Sequence, residues 1–210
     1  MRLSLTPLII AISFMFAGAT AAMDKENTLY IDLKDGRVVI EMRPDLAPKH
    51  VAQIKALARA GKYDGIVFHR VIDGFMAQTG DPSGNGTGGM GEHLKAEFSK
   101  EPHVRGAVSM ARTSDPNSAR SQFFICFKDV NFLDGQYTVW GKVTSGMEFV
   151  DKIKRGDPQS GAVPAPPDRM IRVQVAAGQR RTGLRQLVHA LVDLSPARAR
   201  RGRGPVEVER

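Results

Sequence analysis

Residues 68–81 of this chain read FHRVIDGFMAQTGD, a stretch in which Arg70 lies between apolar runs. Alternate side chains of an extended strand point to the same face, so Phe68 and Arg70 are expected to share a face. An arginine among aromatic side chains is either stacked on them for structural reasons or aimed at a ligand. The pattern by itself leaves both interpretations open. The same is true of the neighbouring apolar residues, which could belong to a core or to a pocket.

Four further motifs follow this stretch. They read NGTGG at 85–89, SMAR at 109–112, SQFFICF at 121–127 and NFLDGQYTVWGKV at 131–143. Aromatic and thioether side chains are thus combined with Arg70 and an amide, Gln78. This mixture suits a substrate with an apolar ring flanked by polar backbone. It lacks the residue patterns that a hydrolase or a metalloenzyme needs.

Local patterns predict one hairpin and two helices. The runs TLYIDL and RVVIEM flank Lys34-Asp35-Gly36, and alternating apolar residues around Asp-Gly are typical of a β-hairpin. A helix is predicted in VAQIKALARAGKY, with Pro48 in its first turn and Gly61 at its end. The run GMEFVDKIKRG has apolar residues spaced for a second helix.

Seven short apolar runs separated by glycine predict strands: IVFHRVI, GFMAQT, HLKAEF, GAVSMA, QFFICF, TVWGKV and MIRVQVA. Many short strands at regular intervals favour a β-barrel or a β-sandwich, and closure of a barrel removes exposed strand edges. The predicted helices lie near the two ends of the strand series, where they would cover the openings. The fold is therefore predicted to be all-β dominated, a β-barrel with helices or a β-sandwich with helices.

Length and composition indicate one ordinary domain, or one domain with extensions. The chain has 210 residues, of which 42% are hydrophobic, and a net charge of +8. Residues 176–210 hold eight Arg, no Lys and only three carboxylates, so the rest of the chain is only mildly basic. A mildly basic body indicates solubility rather than nucleic-acid binding, and no nucleic-acid partner is expected. Binding of an anionic surface through the Arg-rich tail is an alternative activity, and membrane contact is expected only there.

The first 22 residues resemble a secretory signal peptide, with Arg2 followed by an apolar run and A-x-A sites. The apolar run is too short for a comfortable membrane span. Export to a bacterial periplasm is therefore expected, with cleavage after Ala19, Ala21 or Ala22. If translation starts at Met23 instead, the protein is expected in the cytoplasm.

The folded domain is predicted to span residues 27–176. Residues 177–210 differ from it in composition and form an Arg-rich extension, in which one amphipathic helix is followed by a disordered end. A reading frame shifted past a lost stop codon is an alternative origin for this extension.

Other motifs that could carry chemistry are weak. The run Gly84–Gly89 matches G-x-G-x-x-G, but the next segment is strand-like, whereas a dinucleotide fingerprint needs a following helix. The five His residues and single Cys show no metal-ligand spacing, so neither a metal nor a cofactor is expected. Cys126 is interpreted as a small apolar strand residue. Spacing alone permits a serine triad that uses His69, but nothing favours it.

The motifs together resemble the cyclophilin-type peptidyl-prolyl cis-trans isomerases, in order and in spacing. FHRVIDGFMAQTGD, NGTGG, SMA, SQFFI, FLDG and WGKV carry the resemblance, which extends over about 27–176. The chain is most similar to short bacterial members of the family, some of which are exported. The resemblance implies a closed eight-stranded antiparallel barrel capped by two α-helices.

The resemblance also implies roles for individual residues. Arg70 corresponds to the catalytic arginine of the family. The pocket for the proline ring corresponds to Phe75, Met76, Phe124 and Leu133. The groove for the substrate backbone corresponds to Gln78, Ala111, Arg112 and Gln122. Proline-containing polypeptides, unfolded or folding, are the implied partners.

Two further site positions depart from the eukaryotic pattern. Phe132 stands in place of a Trp and Tyr137 in place of a His, as is common among bacterial members. Loss of the indole removes an N–H donor, so cyclosporin is expected to bind weakly while catalysis is kept. Arg112 is bulkier than the Asn that is common at its position, but its backbone is expected to serve the groove.

The resemblance implies isomerisation of X-Pro peptide bonds, with Arg70 donating a hydrogen bond to the proline nitrogen in the twisted transition state. The activity would assist protein folding. The alternative is a proline-binding chaperone module that uses the same pocket without needing turnover. A relative that only binds could lose both Arg70 and Gln78, which are present here.

Overall fold

The computed structural model describes residues 23–178. The predicted signal peptide and all but the first two residues of the Arg-rich extension lie outside the described residues. Within 23–178, no helix is both long enough and apolar enough to cross a membrane.

Across the described residues 23–178, eight antiparallel strands form a single sheet. They are β1 (Thr28–Leu33), β2 (Gly36–Met42), β3 (Arg70–Ile72), β4 (Met76–Thr79), β5 (Ala107–Met110), β6 (Phe123–Cys126), β7 (Val139–Ser145) and β8 (Arg172–Val175). Their spatial order is β3-β4-β6-β5-β7-β2-β1-β8. In the same described part of the chain two α-helices accompany them, α1 (Pro48–Arg59) and α2 (Met147–Val150). The prediction of eight antiparallel strands with two helices is confirmed.

The predicted hairpin and first helix are present. Strands β1 and β2 pair from Thr28 with Glu41 to Leu33 with Gly36, which leaves a two-residue turn. Alternate residues of both strands are buried, as period-two patterning requires. Helix α1 begins at Pro48, where the missing N–H costs nothing, and the chain leaves it through Gly61 at φ +68°. Its apolar face lies against the sheet.

The sheet is an open half-barrel, so the expectation of a closed barrel was wrong. The edge strands β3 and β8 do not pair; only isolated bridges, such as Val67 with Arg169 and Arg70 with Ala162, cross the gap. The chain that would complete the seam includes Pro164, Pro166 and Pro167. Proline has no N–H to donate, so it interrupts a strand ladder.

Three predicted elements are shorter than expected or absent. HLKAEF is not a strand, apart from one bridge at Leu94. The backbone N–H groups of Ala96 and Glu97 donate instead to the side chains of Asn117 and Thr138, so they are lost to a strand ladder. Strand β3 begins only at Arg70, and α2 is a single turn. In HLKAEF, side-chain acceptors thus replace the strand ladder that the sequence pattern favoured.

The main core packs against one face of the sheet. The rings of Tyr63, Phe123 and Trp140 meet edge to face, with centroid distances of 5.8 Å and 5.4 Å. The Tyr63 hydroxyl donates to the Ser121 carbonyl at 2.9 Å, so its burial leaves no polar atom unpaired. A second, smaller cluster contains Met76, Phe124, Cys126 and Leu133. Burial raises the pKa of the Cys126 thiol to about 12, so it remains a neutral thiol.

We expect Gly146→Ala to destabilise the fold far more than Gly65→Ala. Both glycines have positive φ, at +84° and +79°, which costs alanine about 1–2 kcal/mol. A Cβ at Gly146 would also collide with the Arg37 carbonyl oxygen, whereas Gly65 faces open space. Urea unfolding should show a loss of about 1 kcal/mol for Gly65→Ala and about 3 kcal/mol or more for Gly146→Ala. Equal losses would contradict the close approach of the chain at Gly146.

Candidate active site

Strand register brings Arg70, Gln78 and Phe124 together. Arg70 of β3 lies opposite Gln78 of β4, which lies opposite Phe124 of β6. Directly opposed residues point to the same face of a sheet, so the three side chains form one row across three strands. The next row, Val71, Ala77 and Ile125, is fully buried in the main core. Because alternation is strict, burial of that row on one face directs Arg70 to the opposite face of the sheet.

The Arg70 guanidinium is half-buried and held at two points. Its Nη1 donates to the Gln78 Oε1 at 3.3 Å, and its Nε donates to the Ser160 carbonyl oxygen at 3.2 Å. The Met76 sulfur lies 4.0 Å from Nη1. Within residues 23–178 no carboxylate forms an ion pair with Arg70. Its positive charge is therefore not neutralised by this part of the chain.

A cavity of about 110 Å³ opens beside Arg70. Nine residues line it: Arg70, Phe75, Met76, Gln78, Ala111, Arg112, Phe124, Leu133 and Tyr137. All nine belong to the eleven site residues named from the sequence. The floor consists of side chains from the smaller apolar cluster, and Arg70 forms part of one wall. The cavity has room for a single small ring rather than a larger ligand.

The other two expected residues lie at the margins of this cavity. Phe132 is 67% exposed and packs against Phe75, with ring centroids 5.6 Å apart. Gln122 lines a second, adjoining groove of about 190 Å³, which shares Gln78, Ala111 and Arg112 with the first. The two cavities therefore form one continuous surface depression.

A directional chain of amides orients Gln78 toward Arg70. The Gln122 Nε2 donates to the carbonyl oxygens of Gly86 and Gly88, at 3.0 Å and 2.7 Å. The Gln122 Oε1 consequently faces Gln78 and accepts from its Nε2 at 2.9 Å. This leaves the Gln78 Oε1 as the acceptor for Arg70. The loop carbonyls thus determine which way both amides point.

Asp81 organises the glycine-rich loop that supplies those carbonyls. Its buried carboxylate accepts from the backbone N–H groups of Ser83, Asn85 and Gly86, at 2.8, 3.2 and 2.7 Å. Burial opposes its ionisation, but these hydrogen bonds and one from Gly88 outweigh that effect and lower the pKa of Asp81. The Gly84–Gly89 run is an irregular loop without a following helix, as the sequence indicated.

Arg112 and Tyr137 contact each other. The Arg112 guanidinium carbon lies 4.4 Å from the centre of the Tyr137 ring, a cation–π geometry. Arg112 also donates to the Gln136 carbonyl oxygen from both Nε and Nη2. The long side chain is therefore folded back along the wall, and it leaves the cavity open.

Three residues that support the site from behind Phe124 were missed from the sequence: His103, Asp134 and Ser109. The His103 ring stacks on Phe124 with centroids 6.3 Å apart, and its two nitrogens lie 2.9 Å from Asp134 Oδ1 and 3.1 Å from Ser109 Oγ. The order resembles a hydrolytic triad, but Ser109 is fully buried and donates to the Thr138 carbonyl oxygen. The group therefore positions Phe124. No local spacing marks it, because its members are 6 to 31 residues apart in the chain.

No cluster of three or more His, Cys, Asp or Glu side chains suited to a metal ion occurs within the described part of the chain. The site's polar groups are amides, backbone carbonyls and one guanidinium. Such groups can donate and accept hydrogen bonds, but they contain no activated nucleophile. The arrangement suits binding and electrostatic stabilisation of a substrate whose covalent bonds stay intact.

Comparison with known proteins agrees with this chemistry. Residues 28–175 match the family model of the cyclophilin type peptidyl-prolyl cis-trans isomerases. A probable peptidyl-prolyl cis-trans isomerase of Brucella suis biovar 1 is 55% identical over 180 residues, which cover 80% of this chain and 92% of the relative. Peptidyl-prolyl cis-trans isomerase B of Bacillus subtilis is 46% identical, over 62% of this chain and 93% of the relative.

Solved structures give the same assignment. A cyclophilin from Hirschia baltica superposes with a TM-score of 0.66 at 29% identity, covering 75% of this chain and 77% of the other. A cyclophilin type isomerase of Cryptosporidium parvum was studied in the presence of the dipeptide Ala-Pro. It superposes with a TM-score of 0.65 at 29% identity, and the match covers 70% of this chain and 98% of the other. With the half-barrel and the cavity beside Arg70, these relationships make the chain a member of the cyclophilin-type peptidyl-prolyl cis-trans isomerases, a family of enzymes.

Proposed function

We propose that this enzyme accelerates rotation about X-Pro bonds by donating a hydrogen bond from Arg70 to the proline nitrogen in the twisted transition state. The observation that carries the proposal is a half-exposed guanidinium, not ion-paired within the described residues, on the wall of an apolar cavity the size of one small ring. Proline-containing polypeptides that are unfolded or still folding are the proposed substrates.

The reason lies in the electronic structure of the amide. Resonance between the nitrogen and the carbonyl creates a rotation barrier of roughly 18–20 kcal/mol. At the twisted transition state this resonance is broken, and the nitrogen carries a localised lone pair that can accept a hydrogen bond. In the planar ground state that lone pair is delocalised. A donor placed at the nitrogen therefore stabilises the transition state selectively, which lowers the barrier.

The free donors of Arg70 suit this role. Arginine has five N–H groups in a planar fork, and Nε and one hydrogen of Nη1 are occupied by Ser160 and Gln78. The hydrogens of Nη2 have no acceptor within residues 23–178. The guanidinium is thus anchored on one side and free to donate on the other, so little reorganisation is needed when the lone pair appears.

The remaining site residues have complementary proposed roles. Phe75, Met76, Phe124 and Leu133 would hold the proline ring still by apolar contact, while the chain on the other side of the bond rotates. Gln78, Ala111, Arg112 and Gln122 would contact the substrate backbone along the adjoining groove. The relative from Cryptosporidium parvum studied with Ala-Pro supports a proline-containing ligand.

We expect Arg70→Ala to lower kcat/KM by about 100-fold or more, the usual cost of removing one transition-state donor. The measurement is a protease-coupled isomerase assay on a short peptide containing X-Pro-Phe. Arg37→Ala is the matched control, because Arg37 is also a strand arginine but pairs with Asp32 on β1. The control should keep full activity, and both variants should stay folded. A fully active Arg70→Ala would contradict the mechanism.

Cyclosporin is expected to inhibit the wild type only weakly, because Phe132 offers no N–H donor. Phe132→Trp should tighten inhibition by about tenfold, the value of one added hydrogen bond. Phe98→Trp, at another exposed phenylalanine, should change nothing. The readout is the inhibition constant in the peptide assay. Nanomolar inhibition of the wild type would refute this expectation.

The cellular location is proposed to be the periplasm, on the basis of the N-terminal sequence alone. Intact-mass analysis of the mature protein, expressed from its full sequence in a Gram-negative host, should show a chain that starts after Ala19, Ala21 or Ala22. The protein should be recovered in the periplasmic fraction. A cytosolic chain that starts at Met1 or Met23 would argue against export.

A further inference from the structure

Residues 157–161 form a tight turn that lies along the free edge of β3. The Val71 N–H donates to the Gly161 carbonyl oxygen at 2.8 Å, and the Gly156 N–H donates to the Val71 carbonyl oxygen at 2.9 Å. The Val163 N–H reaches the His69 carbonyl oxygen at 3.1 Å. The turn is thus fastened to the residues on both sides of Arg70, in the seam that the open sheet leaves.

The shape of the turn depends on one exposed carboxylate. A single oxygen of Asp157, Oδ1, accepts from the Gln159 N–H at 3.1 Å, the Ser160 N–H at 2.8 Å and the Ser160 hydroxyl at 2.9 Å. The Gly161 N–H donates to the Asp157 carbonyl oxygen at 2.7 Å. The bonds from Ser160, followed by that from Gln159, lower the pKa of Asp157. Together these bonds fix the direction of the Ser160 carbonyl group.

The turn contacts Arg70 at two places. The Ser160 carbonyl oxygen accepts from Arg70 Nε at 3.2 Å. Gly161 packs under the aliphatic stem, so closely that a Cβ there would lie 2.9 Å from Arg70 Cγ and 2.6 Å from Ile72 Cγ1. A larger residue would displace the arginine. The turn therefore constrains both the stem and the plane of the guanidinium.

Gln78 alone leaves this plane undetermined. One hydrogen bond to Nη1 permits the guanidinium to swing about the Gln78 oxygen, whereas a second bond, at Nε, holds the planar fork at two of its nitrogens. Such restraint is valuable in a catalytic group, because a displacement of about 1 Å can cost about 100-fold in rate.

We propose that Asp157 is a positioning residue for isomerisation, which acts by holding the Ser160 carbonyl oxygen against Arg70 Nε. The inference rests on the proposed role of Arg70. Asp157 itself does not line the cavity. Its contribution is the orientation of the guanidinium, so its loss should reduce turnover and leave peptide binding intact.

The first test compares Asp157→Ala with Asp157→Asn. All three side-chain bonds use one oxygen, which an asparagine retains. Asp157→Ala should lower kcat about tenfold and change KM less than about twofold, as expected for a misplaced group that acts in the transition state. Asp157→Asn should restore kcat to within about twofold or threefold of wild type. An unchanged kcat in Asp157→Ala, or an Asn variant as poor as the Ala variant, would overturn the proposal.

Asp24→Ala provides the matched control. Asp24 is another exposed aspartate whose Oδ1 accepts two backbone N–H bonds, from Glu26 and Asn27, in a turn that does not contact Arg70. Its loss should leave kcat unchanged. An equal loss of kcat in both variants would show that general destabilisation, rather than positioning, is measured.

A double-mutant cycle separates positioning through Arg70 from other effects. Residual rates are read by NMR exchange spectroscopy at high enzyme concentration. If Asp157 acts through Arg70, Asp157→Ala should have no further effect in an Arg70→Ala background. A full tenfold loss in that background would overturn the inference, while the low activity of Arg70→Ala itself would still support the proposed mechanism. The Arg70 Nε–H signal should also exchange faster with water in Asp157→Ala, and an unchanged exchange rate would count against the proposal.

Discussion

The antiparallel register that sets Arg70 beside Gln78 and Phe124 is the constraint on which the site depends. Side chains of a strand alternate between two faces, so a shift of one residue in β3 would bury the guanidinium and expose Val71. The neighbouring row is packed in the main core, and moving it outward would expose several fully buried apolar side chains. Apolar packing on one face of the sheet therefore fixes the position of a charge on the other.

Hydrogen bonds from two loops then orient the side chains that the strand register brings together. The glycine-rich loop, organised by Asp81, orients Gln122 and Gln78 so that an oxygen faces Arg70. The turn organised by Asp157 presents the Ser160 carbonyl oxygen from the other side. Arg70 thus meets an oxygen acceptor on each side, the Gln78 amide oxygen and the Ser160 carbonyl oxygen. These acceptors suit its positive charge, and its remaining N–H donors stay available for a ligand. A reaction that breaks no covalent bond needs hydrogen-bond donors and acceptors held in fixed positions, rather than a nucleophile or a metal ion.

The open edge of the sheet also contributes to the orientation of Arg70. Because β3 has no strand partner on its outer edge, its backbone groups are free to bind the 157–161 turn. A continuous strand in that seam would direct its carbonyl groups along the ladder between the strands. The irregular segment instead turns the Ser160 carbonyl group toward a side chain. Pro164, Pro166 and Pro167 in this seam follow shortly after the turn that contacts the arginine.

The sequence by itself determined the β1–β2 hairpin, helix α1 and most short strands, because turn residues and apolar periodicity are local signals. Through family motifs it also identified all nine residues that line the cavity, which lie in four short stretches of chain. Tertiary structure alone decided that the half-barrel stays open. It also decided that backbone N–H groups of HLKAEF donate to the side chains of Asn117 and Thr138, and that Arg112 packs on the Tyr137 ring. It likewise brought His103 and Ser109 behind Phe124, and Ser160 to Arg70. Some of these contacts join residues that are far apart in the chain, and others depend on competition between side-chain and backbone acceptors. Neither kind of contact produces a periodic pattern in the sequence.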